Sequence, residues 1–152
     1  MTSPRRTSAA GPDQPGPATV GSLRVELGVA IGAALAVQLV FPYRHDWPAH
    51  LLGGAGAMIL GAAAAPRALH RLTASIGFVA LVALSWATEV QIFHPFDLVD
   101  AAFTLAGAVL TFQAADQLGR CRGRPRAVAA AWGAALVVAS LWYRYGTSVG
   151  PT

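Results

Sequence analysis

Five long apolar segments, separated by short polar stretches, make up most of this chain. They lie at roughly 23–41, 47–65, 72–93, 98–118 and 126–145. Each is close to the roughly 20 residues that a helix needs to cross a bilayer, and none alternates polar and apolar residues as barrel strands do. Because backbone groups in lipid must be hydrogen-bonded internally, the pattern predicts an all-α integral membrane bundle of about five transmembrane helices.

The composition agrees with this prediction. Hydrophobic residues make up 55% of the chain and charged residues 12%, whereas soluble domains carry about 25% charged residues. Residues 1–22 are rich in Pro, Gly, Ser, Thr and Ala and show no apolar period, which predicts a disordered cytoplasmic tail. The expected organisation is this tail, a transmembrane domain over 23–145 and a short outer tail over 146–152.

The positions of the arginines predict the orientation. All 11 basic residues are arginine, and only Arg44 and Arg144 fall on one side of the five-helix arrangement. Cytoplasmic loops carry the basic excess, so the N-terminus is expected inside and the C-terminus outside. No basic cluster on a soluble surface indicates a nucleic-acid partner, and the lack of lysine with abundant alanine is typical of a GC-rich bacterial genome. We therefore expect a multi-pass protein of the bacterial plasma (inner) membrane. The nine arginines on the other side are Arg5, Arg6, Arg24, Arg67, Arg71, Arg120, Arg122, Arg124 and Arg126.

Polar residues that could carry chemistry gather on the predicted outer face. A carboxylate placed one turn inside the membrane, as Glu89 is, should pair or hold a proton, and His50 is the best-placed partner. The stripe of Asp100, Thr104, Gly107 and Thr111 should face protein and not lipid. The candidate ligand-binding residues are Asp46, His50, Glu89, Gln91, Asp97 and Asp100.

Several of these features have a structural interpretation as well. Asp97 is a suitable N-cap for the fourth helix, with Asp100 in its first turn, where the helix dipole favours negative charge. His45 and His94 are expected to be solvated loop residues. The lone Cys121 allows no internal disulfide and is expected to be inert. Three glycines of the second segment are expected to serve close helix packing; they are Gly53, Gly54 and Gly56.

Over about residues 44–110 the arrangement resembles the VanZ-like family of small multi-span bacterial membrane proteins. Thr104 stands where the family pattern has asparagine, and the family's hairpin arginine has no counterpart between His94 and Asp97. The stretches that carry the resemblance are "HDWPAHLLGG" with Asp46 and His50, "EVQIF" with Glu89, Gln91 and Phe93, and "DAAFTLAG" with Asp100 and Gly107.

Three functions follow as hypotheses. The resemblance implies a cell-envelope membrane protein whose outer polar cluster binds or shields a lipid-linked or cell-wall component, with a link to glycopeptide (teicoplanin) resistance. The alternative is a membrane-embedded enzyme acting on lipid headgroups, with Asp46, His50, Glu89 and Asp100 as an acid/base or divalent-metal site. The third is a small proton-coupled transporter that uses Glu89 and oligomerises to form its pathway. Membrane lipid is the expected partner in each case, and the sequence indicates no particular cofactor.

Overall fold

A computed structural model describes residues 17–66, 69, 72–91, 97–121 and 123–146, and over these residues the protein is all-α, as predicted. Residues 17–20, 84–86 and 88–91 are described by their backbone only. Three predicted parts lie outside the described residues: residues 1–16 of the tail predicted over 1–22, the hairpin over 92–96 with His94, and residues 147–152 of the outer tail. The helices are α1 (Pro17–Val40), α2 (Asp46–Ala64), α3 (Thr73–Gln91), α4 (Leu98–Leu110), α5 (Phe112–Arg120) and α6 (Arg124–Leu141), and α6 continues into a π-helical segment, Trp142–Gly146.

The first helix starts earlier than the apolar pattern indicated. α1 begins at Pro17, whereas the pattern placed its start at Leu23, so the prediction of a disordered tail was wrong for residues 17–22, which are helical. Proline suits the first position of a helix because its missing N–H would have no partner there, and its fixed φ matches the helix. The transition from tail to helix therefore follows this local backbone preference, ahead of the first long apolar run.

The predicted fourth span is divided into two helices. α4 and α5 are bent by 47° at Thr111, whose hydroxyl lies 3.1 Å from the carbonyl oxygen of Gly107. Such bonding of a threonine to the preceding turn bends helices. On the far side of the break, the Glu26 carboxylate of α1 accepts a hydrogen bond from the Ala114 N–H at 2.7 Å. Glu26 thereby satisfies one of the N–H groups that a new helix start leaves without an intrahelical partner.

α2 is the central helix, and α4 and α6 make the most extensive contacts with it. The backbones of α2 and α4 touch, because a Cβ added to Gly54 would lie 1.9 Å from the Thr104 carbonyl oxygen, and one added to Gly107 would lie 2.0 Å from that of Leu51. Gly56 faces Gly133 of α6 in the same way. The predicted packing role of the α2 glycines is confirmed. These backbone contacts set the short distances from α2 to α4 and to α6.

Two regions are long and apolar enough to cross a membrane, Gly21–Val40 and Arg124–Gly146, and the bent pair α4–α5 makes a third if it is counted as one span. α1 carries the apolar outer surface expected of such a helix, since Val25 is 65% and Leu39 83% exposed. Among the described residues, the protein therefore has two or three helices that could span a bilayer.

Both ends of the bundle are held by polar contacts between helices. At one end Arg126, in the first turn of α6, donates to the carbonyl oxygens of Ala63 at 2.6 Å and of Ala65, where α2 ends. These carbonyls have no partner within α2, so the guanidinium caps that helix. At the same end the Ser22 hydroxyl donates to Gln117 Oε1 at 2.7 Å, which joins α1 to α5. The opposite end carries the candidate site.

Candidate functional site

The first two turns of α2 and α4 meet the π-helical segment at one end of the bundle, where four polar side chains form a cluster. His50 of α2 is at its centre. Its Nδ1 lies 3.0 Å from Thr104 Oγ1, its Nε2 lies 3.1 Å from Asp100 Oδ2, and Arg144 Nη1 lies 2.5 Å from the same Nε2. The side chains of His50 and Asp100 are only 15% and 9% exposed. We call these residues, His50, Asp100, Thr104 and Arg144, the His50 cluster.

The start of α4 positions two members of this cluster. Asp97 caps the helix, because its carboxylate accepts a hydrogen bond from the Val99 N–H at 2.8 Å, so the predicted capping role is confirmed. Asp100 then falls in the first turn and is buried, and Thr104 follows one turn later. The predicted stripe also faces protein further along, since Gly107 and Thr111 are buried. The regular spacing of one helix thus delivers both side chains to His50.

The hydrogen bonds of Thr104 fix one proton of the imidazole. The Thr104 hydroxyl has a single proton, which it donates to the Asp100 carbonyl oxygen at 3.1 Å. In that arrangement its oxygen accepts from His50 Nδ1, and this tautomer agrees with the Arg144 guanidinium, which can only donate, lying against Nε2. Thr104 does not determine whether Nε2 is protonated.

His50 Nε2 has two neighbours but can make a hydrogen bond to only one of them at a time. An unprotonated Nε2 offers a lone pair to the Arg144 guanidinium, which can only donate. A protonated Nε2 donates instead to the Asp100 carboxylate, and the imidazolium then repels the guanidinium. The cluster therefore has two hydrogen-bonded arrangements, and the protonation of His50 selects between them.

Aromatic side chains border the cluster. Trp47 stacks on Phe103, with ring centroids 5.3 Å apart, and the Arg44 guanidinium lies 5.1 Å from the Trp47 ring centroid. His45 is exposed, as predicted, and its ring meets Tyr143 edge-on with centroids 5.7 Å apart. Through these contacts the loop before α2 and the start of α2 pack against α4 and the π-helical segment. They therefore fix the relative positions of α2, α4 and the π-helical segment at the site.

The structure brings together some of the residues that the sequence indicated. His50 and Asp100 are in direct contact, Asp97 caps α4, and Asp46 lies in the first turn of α2, one turn before His50. The side chains of Glu89 and Gln91, near the end of α3, lie outside the described residues, so the predicted pairing of Glu89 with His50 stays a prediction.

Arg144 is the member of the cluster that sequence reasoning missed. From the sequence, Arg144 was noted only as one of the two arginines on the predicted outer side. A signal was present, because Arg144 lies in the aromatic run "WYRYG" at the end of the last apolar segment. An arginine retained in that position, where an aromatic belt meets the membrane surface, is a candidate partner for the acidic residues at the same depth.

The described residues cover the hypothetical metal site only in part, so it stays a prediction. Among them there is no group of three or more His, Cys, Asp and Glu residues arranged to hold a metal ion. Of the four proposed ligands, His50 and Asp100 are in contact, and Glu89 lies outside the description. Arg144 also occupies the His50 lone pair that a cation would need, and its charge repels a cation.

Cys121, the single cysteine, is buried at the end of α5, and its thiol donates to the Gln117 carbonyl oxygen at 3.4 Å. Burial raises the pKa of the Cys121 thiol, and the Arg126 guanidinium partly offsets this. Because the thiolate is the reactive form, this environment makes the thiol unreactive. Cys121 is therefore a packing residue.

Over the part of the chain that the structure describes, the protein is all-helical, with two or three helices able to cross a membrane and a buried charged cluster where α2, α4 and the π-helical segment meet. No protein-family model matches the chain, and no curated protein or solved structure matches it. The function is therefore argued from the site itself.

Proposed function

We propose that this chain is a five-span, VanZ-like protein of the bacterial plasma membrane whose His50 cluster binds the anionic headgroup of a lipid-linked cell-envelope component. The observation that carries the proposal is the contact of Arg144 with His50 at the meeting point of three helices. The family resemblance adds the link to glycopeptide (teicoplanin) resistance.

The five-span arrangement is supported by contacts at both ends of the bundle. The bonds from Ser22 to Gln117 and from Arg126 to Ala63 join the helices at one end, and the contacts of His50 with Arg144 and Asp100 join them at the other. α2, the α4–α5 pair and α6 therefore run between the same two ends, and α1 is joined to them at the Arg126 end. α2 can be less apolar than a lipid-facing span because the other helices surround it.

The chemistry of the cluster favours an anion. Arg144 carries a positive charge, and a guanidinium binds phosphate through two parallel hydrogen bonds. The N-termini of α2 and α4 lie at the same end, and helix N-termini attract negative charge. Asp46, Asp97 and Asp100 oppose this attraction, but Asp100 is turned toward His50 at 3.1 Å, and Asp97 accepts from the Val99 N–H as the cap of α4. A phosphate is thus the ligand group that fits this end of the protein.

Replacing Arg144 is expected to remove phosphate-lipid binding. In nanodiscs of zwitterionic lipid, Arg144→Gln should weaken binding of a long-chain isoprenyl phosphate by about tenfold or more, or about 1.4 kcal/mol. Native mass spectrometry would measure this binding, with the corresponding neutral isoprenol as a ligand that should not be retained.

Arg44→Gln is the matched control, because Arg44 lies at the same end but contacts Trp47 and not His50. It removes the same charge, so it should weaken binding far less. Equal affinity of the two variants for the phosphate lipid would contradict the proposed function.

The orientation is tested separately. The arginines of the described residues at the Arg126 end include Arg24 and Arg120, whereas Arg44 and Arg144 lie at the other end, so the positive-inside rule places the His50 cluster outside the cell. Reporter fusions should show the N-terminus in the cytoplasm and Thr152 outside. Protection of a tag at Thr152 from external reagents would contradict five spans and favour four or six.

A further inference from the structure

An apolar groove of about 210 Å³ opens on the side of the bundle between α1 and the π-helical segment, with α2 as its floor. Ile31 and Leu35 on its α1 wall are 40% and 61% exposed, so the groove is open to the surroundings of the bundle. Its floor residues, Pro48 and Leu52, lie on the opposite side of α2 from His50. The groove is therefore a feature separate from the His50 cluster.

The groove contains one buried polar atom, Gln38 Oε1, that has no hydrogen-bond partner among the residues that the structure describes. The nitrogen of the same amide donates to the Pro42 carbonyl oxygen at 2.9 Å. A buried acceptor that stays unpaired destabilises the protein. The occupant that fits this groove is therefore apolar over most of its surface and carries a hydrogen-bond donor, which a hydrocarbon chain lacks.

Trp142, in the π-helical segment, has this chemistry. Its indole is a large apolar ring with one N–H donor and no acceptor. It directly precedes Tyr143, which lines the groove together with Gln38, so Trp142 and the unpaired oxygen lie at about the same depth along the bundle. The Trp142 side chain is 74% exposed and is not among the groove-lining residues of its own chain. The indole is thus accessible to a second copy of the chain.

A twofold axis parallel to the helices brings each Trp142 to the groove of the other copy. Such an axis keeps the two copies in the same orientation in the membrane and aligns their ends, so the partner's Trp142 arrives at the depth of Gln38. The groove and the exposed indole lie side by side on one face, and a self-complementary face of this kind makes each contact twice.

We infer that this face is a homodimer interface, in which the Trp142 side chain of each copy fills the groove of the other and its indole N–H donates to Gln38 Oε1. The inference does not depend on the phosphate site, so the two proposals can fail separately. Tryptophan also anchors helices at membrane surfaces without any protein partner, and the experiment must separate this role from the dimer.

The test measures self-association of the full protein in liposomes of zwitterionic lipid. Förster transfer between donor-labelled and acceptor-labelled copies is followed as the lipid-to-protein ratio is raised. Trp142→Phe keeps an aromatic ring but removes the donor, Gln38→Leu removes the acceptor, and a double variant removes both. Trp132→Phe is the matched control, because Trp132 is 52% exposed on α6 but lies about three turns from Tyr143.

Each single variant is expected to raise the dissociation constant of the dimer by about tenfold, because the symmetric dimer loses two hydrogen bonds at once. The double variant should be no weaker than the single ones, since both changes remove the same bond. Trp132→Phe should associate as the unmodified protein does. Gln38→Leu also removes the bond to Pro42, so Trp142→Phe carries the test if that variant folds poorly.

The inference is overturned if the unmodified protein does not associate, or if Trp142→Phe associates as tightly as Trp132→Phe. The second result is expected if Trp142 is only a membrane anchor, or if a lipid or the chain's own last residues fill the groove. Additive losses in the double variant would also overturn it, because they would show that the two side chains do not contact each other. None of these results bears on phosphate binding, which Arg144→Gln tests at the other site.

Discussion

An alanine at Gly107 is expected to push α4 away from α2 and to destabilise the whole bundle. The added Cβ would lie 2.0 Å from the Leu51 carbonyl oxygen, far inside any real carbon–oxygen contact. The position of a Cβ is set by its own backbone and the oxygen is itself a backbone atom, so no side-chain rotation relieves the clash. Overpacking typically costs about 1–3 kcal/mol, and we expect a loss at or above the upper end of that range. Gly54→Ala should act in the same way from the α2 side, against Thr104.

Gly61→Ala is the matched control, since Gly61 lies on the same α2 helix and an added Cβ would meet nothing within 4 Å. Because alanine favours a helix over glycine by about 0.5–1 kcal/mol, this variant should be at least as stable as the unmodified protein. Thermal unfolding in detergent, followed by size-exclusion chromatography, measures the difference. A Gly107→Ala protein as stable as Gly61→Ala would show that α2 and α4 are not in backbone contact.

The same variant also tests the link between packing and site. Gly107 lies one turn after Thr104, whose Oγ1 is 3.0 Å from His50 Nδ1. If α4 moves outward, this contact and the contact with Asp100 lengthen together. Loss of stability and loss of phosphate-lipid binding are therefore expected in one variant, whereas Arg144→Gln should affect binding more than stability.

Features that depend on spacing within one helix could be predicted from the sequence. The stripe from Asp100 to Thr111 repeats at steps of three and four residues, so a regular helix must place it on one face. The capping role of Asp97 could be predicted because it depends only on residues of α4: its carboxylate accepts from the Val99 N–H, two residues later. The packing role of Gly54 followed from the small size of glycine in an apolar helix.

Features that depend on distant parts of the chain could not be predicted in this way. The break after α4 is stabilised by Glu26, which is 88 residues away from Ala114 in sequence. Likewise, Arg144 reaches His50 across 94 residues. The sequence analysis predicted one continuous span across the α4–α5 break, because α4 and α5 taken together are long and apolar enough to cross a membrane. Such contacts depend on which helices pack against each other, and the residue pattern within one helix does not contain that information.

Phosphate-lipid binding at the His50 cluster is expected to strengthen as the pH falls. When His50 is neutral, its Nε2 accepts from Arg144, and this bond competes with a phosphate for the guanidinium. Protonation removes that acceptor, turns the ring toward Asp100 and adds a positive charge beside the ligand. Burial of the ring and the Arg144 guanidinium favour neutral His50, and the acidic residues Asp46 and Asp97 at the same end offset this only in part.

The measurement is the affinity for the long-chain isoprenyl phosphate between about pH 8 and pH 4, because burial and a neighbouring guanidinium move the charge change of a histidine below the range of an exposed imidazole. His50→Gln keeps a polar side chain of similar reach but cannot titrate, so it reports the titration of the phosphate group alone. Relative to that control, the unmodified protein should gain about tenfold in affinity over this range, or about 1.4 kcal/mol. Parallel pH profiles for the two proteins would show that His50 does not exchange partners between Arg144 and Asp100, and the two-arrangement account of the cluster would then be wrong.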